Sequence, residues 1–229
     1  MTIRRAIILS AGRGERLRPI TDTLPKPLVK VGNKSLLVHH LEKLAKAGVE
    51  QVVINHAWLG AEIEQAIGDG SQFGLQIIYS PEPEGGLETA GGILQALDLL
   101  SENNQPFLVI NGDVFTDYNF DNLLAKELNN NLAHLILVPN PNFKESGDFG
   151  LAEKKVTNQA QFTFSGISLL SPLLFSGLEP GRSKLAPLIR KQVANNQVSG
   201  ELHSGYWNDV GTHQRLKEAI KYATNRITR

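Results

Sequence analysis

The sequence predicts an α/β fold, a three-layer sandwich with helices on both faces of a mixed, mainly parallel sheet. Two observations predict it. Short apolar runs alternate with amphipathic helical stretches through residue 138, and that β–α alternation calls for parallel strands joined by crossover helices. Beyond that point the pattern changes to apolar–polar alternation, which reads as a smaller, antiparallel β region. The 229 residues suffice for one large domain with a substantial core, divided at about residue 115 into two halves (1–115 and 116–229).

Taken in order, Ile3–Ser10 opens the series as a buried strand. Ser35–Ala47 follows, with Leu37, Leu41 and Leu44 at helical spacing and Gly48 as a stop. Gln51–Asn55 is a β-branched run, 59–67 a short helix, and Leu75–Ser80 a strand that ends at Pro81. Thr89–Leu100 reads as one helix. Pro106–Ile110 and Leu132–Val138 read as strands, then Phe149–Val156 and Gln161–Leu170 as two more. Helices are expected at 172–175, at 184–197 with Pro187 in the first turn, and from about 213 to Tyr222.

Composition narrows the function. Lys plus Arg equals Asp plus Glu at 23 each, so no global positive field draws nucleic acid, and no such partner is expected. Cysteine is absent, which excludes disulfides and thiolate metal sites. No apolar run approaches a membrane span and no signal-peptide pattern opens the chain. A cytoplasmic protein with no membrane partner is therefore expected.

The most informative stretch is Ser10-Ala11-Gly12-Arg13-Gly14-Glu15-Arg16-Leu17-Arg18-Pro19 with Pro25-Lys26-Pro27-Leu28. A strand entering a bend with two glycines lets backbone N–H groups approach a phosphate, and four basic side chains surround it. The glycine spacing excludes a P-loop. It also disfavours a dinucleotide fingerprint, because Leu17 occupies the third glycine position and Pro19 would interrupt the helix. Ligands of open α/β sheets bind beyond the C-terminal strand ends, so this bend, the 81–92 segment and Asp113 should meet at one crevice. Asp113, after Asn111-Gly112, and Asp209, before Val210-Gly211-Thr212, fit a magnesium site completed by phosphates. Their plain alternatives are a turn residue and the N-cap of the last helix. Gly91 and Gly92 cost helix stability, which either close approach of a nucleoside or close helix packing would explain. The six histidines show no metal spacing.

These segments resemble the sugar-1-phosphate nucleotidyltransferases, a glycosyltransferase-A-like (Rossmann-like) α/β family, from Ile7 to Thr212. Further stretches carry the resemblance: Ile54–Gly60, Gly68–Ser71, Leu87–Gly92, Gly147–Phe149 and Phe164–Ser168. Ser10 and Ala90 stand where alanine and glycine are usual. The resemblance implies that Ala11, Gly12, Arg13 and Gly14 wrap a nucleoside triphosphate. Arg16 would lie on its β- and γ-phosphates, Lys26 on the α-phosphate, and Glu88 and Asn111 near the nucleoside. Arg16, Lys26 and Asp113 would be catalytic, Asp113 and Asp209 would hold Mg²⁺, and Asp148, Glu153 and Ser165 would face the sugar. The implied substrates are UTP and a sugar 1-phosphate, foremost N-acetylmuramate 1-phosphate, bound by a monomer. Glucose 1-phosphate with dTTP or UTP and mannose 1-phosphate with GTP are the alternatives within the family. Outside it stands a non-catalytic sugar-nucleotide-binding subunit, which Lys26 and the two aspartates argue against.

Overall fold

Residues 3–227 are described by the structure, a computed structural model. Its strands are β1 (Arg5–Leu9), β2 (Lys30–Val31), β3 (Lys34–Ser35), β4 (Gln51–His56), β5 (Gln76–Pro81), β6 (Phe107–Asn111), β7 (Val114–Thr116), β8 (Ala133–Val138), β9 (Phe149–Ala152), β10 (Lys155–Leu170), β11 (Val198–Leu202) and β12 (Trp207–Asp209). The main sheet runs β11-β8-β10-β6-β1-β4-β5, with β9 on β10. Pairs β6–β1, β1–β4, β4–β5 and β8–β11 are parallel, whereas β10 is antiparallel to β6, β8 and β9. This is the mixed, mainly parallel sheet expected.

The period of two in β1 separates the layers. Ala6 and Ile8 enter a core completed by Leu37, Leu41 and Leu44 of helix Leu36–Ala47 and by Ile63 and Ile67 of helix Gly60–Ile67. Ile7 points the other way, into a core with Ile93 of helix Glu88–Gln95 and Leu185, Ile189 and Val193 of helix Leu185–Ala194. Those helical residues recur at three- and four-residue spacing, one apolar stripe per helix. Ser35 caps its helix by accepting from Val38 N at 3.2 Å, and Gly48 ends it with φ 92°.

Three expectations change. Helix 89–100 is two pieces, Glu88–Gln95 and Leu97–Leu100, because Ala96 N divides its bond between Gly92 O and Ile93 O in a tightened turn. The two strands read at 149–156 and 161–170 are instead β9 and the sixteen-residue β10. Glu153 and Lys154, with φ of 47° and 69°, form the left-handed two-residue hairpin turn between them. The last helix continues past Tyr222, as His213–Ile227.

On the edge strand β11, Glu201 accepts from Tyr118 Oη (2.7 Å) and meets His134 Nε2 (3.2 Å). The His134 contact, outweighing burial, holds the Glu201 carboxyl down to about 2. A depressed carboxylate stabilises the fold above its unfolded value and loses that contribution as pH falls toward the folded value. Glu201→Gln should therefore cost about 1 kcal/mol at pH 7, screening included, with the difference from wild type closing between about pH 4.5 and 2. Urea unfolding of both proteins across that range checks it.

Candidate active site

The C-terminal ends of β1, β4, β5 and β6 open into a cleft of about 360 Å³. Ser10, Ala11, Gly12, Gly14, Lys26, Asn55, Glu82, Glu88, Asn111, Asp113 and Arg182 line it. A second cavity of about 170 Å³ lies beside it, lined by Phe143, Lys144, Thr163, Ser165, Trp207 and Asp209 among others. Asn111 and Asp113 border both. Two ligands held in these cavities would thus meet at Asp113.

The bend after β1 is shaped by its glycines. Gly14 has φ 71°, and a Cβ there would fall 3.0 Å from Thr21 and 3.1 Å from Lys26 Cβ, so the lysine stem packs where a side chain would be. A Cβ on Gly12 would meet no protein atom within 4 Å. The fold itself therefore places no demand on Gly12, and open cleft lies over it. Gly12→Ala should unfold within about 0.5 kcal/mol of wild type yet weaken nucleoside triphosphate binding about tenfold. Thermal melts and calorimetry test the pair of outcomes.

Lys26 Nζ donates to Asp113 Oδ2 at 2.5 Å. Asp209 reaches the same place through the antiparallel β7–β12 pair, whose register sets it opposite Val114, while Val210 N donates to Asp113 O at 2.8 Å. Arg215 Nη1 donates to Asp209 Oδ1 at 2.6 Å. Burial raises the Asp209 carboxyl above its ordinary value, Arg215 opposes that, and the Asp113 charge adds to it. Asp209 is not a helix cap: Thr212 Oγ1 takes that role by accepting from Arg215 N. Among the described residues no group of three or more His, Cys, Asp or Glu converges. A cation between Asp113 and Asp209 would therefore complete its shell from phosphate and water oxygens, a donor set that suits Mg²⁺.

Other expected residues lie elsewhere. Arg13 stacks on the Trp58 ring at 4.3 Å and is not among the cleft residues. Arg16 is exposed, its Nη2 beside Gly211 next to Arg215, on the Asp209 side of the site. Asp148 lines neither cavity; its Oδ2 accepts from Lys144 Nζ (2.5 Å) and Phe164 N (2.9 Å). Glu153 sits on the β9–β10 hairpin turn. The adjacent Lys155 pairs with Ser199 and bonds to Asn131 and Asn196 O, where β8 and β11 begin. That is the end of the sheet away from the cleft, about 20 Å off at strand rise for the six residues of β8, and Glu153 lines neither cavity. Ser165 does line the second cavity, its Oγ accepting from Ile167 N.

Gly91 and Gly92 serve packing: added Cβ atoms would meet Gly181 O at 2.1 Å and Glu82 Oε1 at 2.2 Å. The Glu82 contact exposes what sequence reasoning missed. Glu82 is buried, and its carboxylate accepts from Asn55 Nδ2 (2.5 Å) and Leu87 N (2.6 Å), while Asn55 Oδ1 accepts from Ser10 N. Asn55 lies in β4 and Glu82 directly follows β5, so the strand-end rule applied to every strand would have found both. Arg182, near Glu88 at 3.4 Å, arrives from a distant segment that docks Ser183 O on Ala90 N and Gly91 N, with no local signal.

The model of the nucleotidyl transferase family matches residues 5–165. The chain is 53% identical to N-acetylmuramate alpha-1-phosphate uridylyltransferase of Neisseria meningitidis serogroup B, over 94% of this chain and 96% of that protein. It is 33% identical to mannose-1-phosphate guanyltransferase of Schizosaccharomyces pombe over 90% of this chain, spanning 61% of that protein's length. A Bacillus anthracis structure assigned as a glucose-1-phosphate thymidylyltransferase superposes with TM-score 0.85, covering 96% of this chain and 94% of that one at 22% identity. That likeness identifies the glycosyltransferase-A-like fold. With these matches spanning the strand-end cleft and the Asp113 junction, the chain belongs to the nucleotidyl transferase family.

Proposed function

We propose that the chain transfers a uridylyl group from UTP to N-acetyl-α-D-muramate 1-phosphate, forming UDP-N-acetylmuramate and pyrophosphate. The observation that carries this reading is Asp113, paired with Lys26, at the shared border of the two cavities. The similarity to the Neisseria uridylyltransferase supplies the choice of sugar and base.

The larger cleft takes the nucleotide and the smaller one the sugar phosphate. Backbone N–H groups of 11–14 and Lys26 face the phosphates. Glu82, fixed by Asn55 and Leu87 N, offers only acceptor oxygens; these suit the donating N3–H of uracil and oppose adenine, whose corresponding ring nitrogen accepts. The attacking phosphate oxygen is already anionic, so no side chain need remove a proton. The barrier is charge: at ~4 Å two unit charges of like sign repel by roughly 4 kcal/mol at an effective dielectric near 20. Lys26 offsets this where the groups meet, and Asp113 and Asp209 would hold Mg²⁺, which when bound neutralises phosphate charge. The reading places the enzyme in the cytoplasm, as a Mg²⁺-dependent monomer of peptidoglycan recycling.

A panel of UTP, dTTP and GTP against N-acetylmuramate, glucose and mannose 1-phosphates, scored by pyrophosphate release, tests it. The expected result is highest kcat/KM for UTP with the muramate sugar and no turnover in EDTA. Preference for GTP with mannose 1-phosphate would overturn the assignment. UTP binding without turnover on any sugar would instead support a sugar-nucleotide-binding subunit.

A further inference from the structure

We propose that Lys144 determines sugar specificity by binding a carboxylate carried on the sugar ring of the sugar phosphate. The inference rests on the proposed sugar-phosphate reading and names the recognition element within it. The smaller cavity holds three charged residues among its described lining: Asp113, Asp209 and Lys144. The two aspartates enter from the β7–β12 pair at the phosphate end, where Lys26 and Arg215 already balance them. Lys144 enters separately, from the 139–148 loop between β8 and β9, together with Phe143. It is the lone cation lining this cavity among the described residues, and it belongs to no part of the phosphate machinery.

The loop that carries Lys144 is held on both sides. Asp148 accepts from Lys144 Nζ at 2.5 Å, and the same oxygen accepts from Phe164 N at 2.9 Å, which ties the pair to β10. On the other side Phe143 stacks on the buried Arg215 guanidinium at 4.3 Å, although Phe143 itself is 58% exposed. Lys144 N also donates to Pro141 O at 2.9 Å, turning the loop. An ammonium has three donors, and Asp148 uses one, leaving two for a ligand. With Asp148 sharing its charge, the site suits a single carboxylate better than a dianionic phosphate. A lactyl ether carboxylate on the ring, remote from the 1-phosphate, has this chemistry. Asp148 thereby acts as a positioning residue.

The test compares N-acetyl-α-D-muramate 1-phosphate with N-acetyl-α-D-glucosamine 1-phosphate, which lacks only the lactyl group, at saturating UTP. Wild type, Lys144→Met and Lys144→Arg are measured by pyrophosphate release, or by calorimetric Kd where turnover is too slow to follow. The expected result for Lys144→Met is a fall of roughly 10- to 100-fold in kcat/KM for the muramate sugar, through KM, the scale of one lost charge-assisted hydrogen bond. Values for the glucosamine sugar should stay within about twofold, which also reports an intact fold, and Lys144→Arg should retain most of the preference. An equal loss on both sugars would mean Lys144 binds a group they share, and would overturn the proposal. So would a wild-type preference that survives Lys144→Met, with the substrate reading left standing. A wild-type enzyme that does not distinguish the two sugars would overturn both.

Discussion

Replacing Lys26 by alanine is expected to lower kcat by about 100-fold or more, which is about 2.7 kcal/mol of lost transition-state stabilisation. The side chain is only 12% exposed, and its ammonium stands 2.5 Å from Asp113, where the two cavities meet. A cation at that point is worth most when negative charge converges from both sides, so the loss should fall mainly on kcat rather than on KM for UTP. Alanine also leaves the Asp113 carboxylate unbalanced beside two incoming phosphates, which adds repulsion to the lost attraction. Lys26→Arg should rescue poorly. The lysine ammonium is a point charge 2.5 Å from Asp113, and the longer, planar guanidinium spreads its charge and carries it past that position. Steady-state kinetics on both variants decide the matter, and near-wild-type turnover in Lys26→Ala would remove the residue from the mechanism.

Much of this was legible in the sequence because the signals are local. Alternation of strand and helix periods placed the strands of the parallel portion of the sheet, and the rule that ligands gather at C-terminal strand ends brought Gly12, Asp113 and the 81–92 segment together. Residues joined by long-range packing were not legible. Nothing near Arg182 in sequence signals that its segment docks on the helix at Glu88. Glu153 was misplaced for the opposite reason: a polar residue between two apolar runs reads equally as a ligand contact or a hairpin tip, and its left-handed φ belongs to the tip. Asp148, expected to face the sugar, lines neither cavity; it holds Lys144 and the Phe164 backbone, a partnership that the β9–β10 pairing creates. Arg13 and Arg16 lie in or beside the glycine bend, yet nearness in sequence does not turn their side chains toward the cleft that Lys26 lines.

Asp113→Asn should produce two effects of opposite sign, and together they separate a charge role from a turn role. The substitution keeps size and most hydrogen bonding while removing one negative charge from the border of both cavities. In the absence of divalent cations the triphosphate then meets less repulsion and finds Lys26 released from its partner, so UTP should bind several-fold more tightly, about 1 kcal/mol. With Mg²⁺ present the order should reverse: Asp209 alone offers one carboxylate, the cation gains little at the site, and kcat should fall by about 100-fold or more. Calorimetry of UTP in EDTA and in Mg²⁺, alongside turnover, reads both arms. The burial of Asp209 sharpens the contrast. Its carboxyl is raised by desolvation and by the Asp113 charge, so removing that charge lets Asp209 ionise at lower pH. A metal-dependent loss in Asp113→Asn would therefore not be an indirect failure of Asp209 to carry charge. If Asp113 served only to turn the chain after β6, isosteric asparagine would leave both UTP affinities and kcat where they were, and unchanged values in both media would refute the assignment.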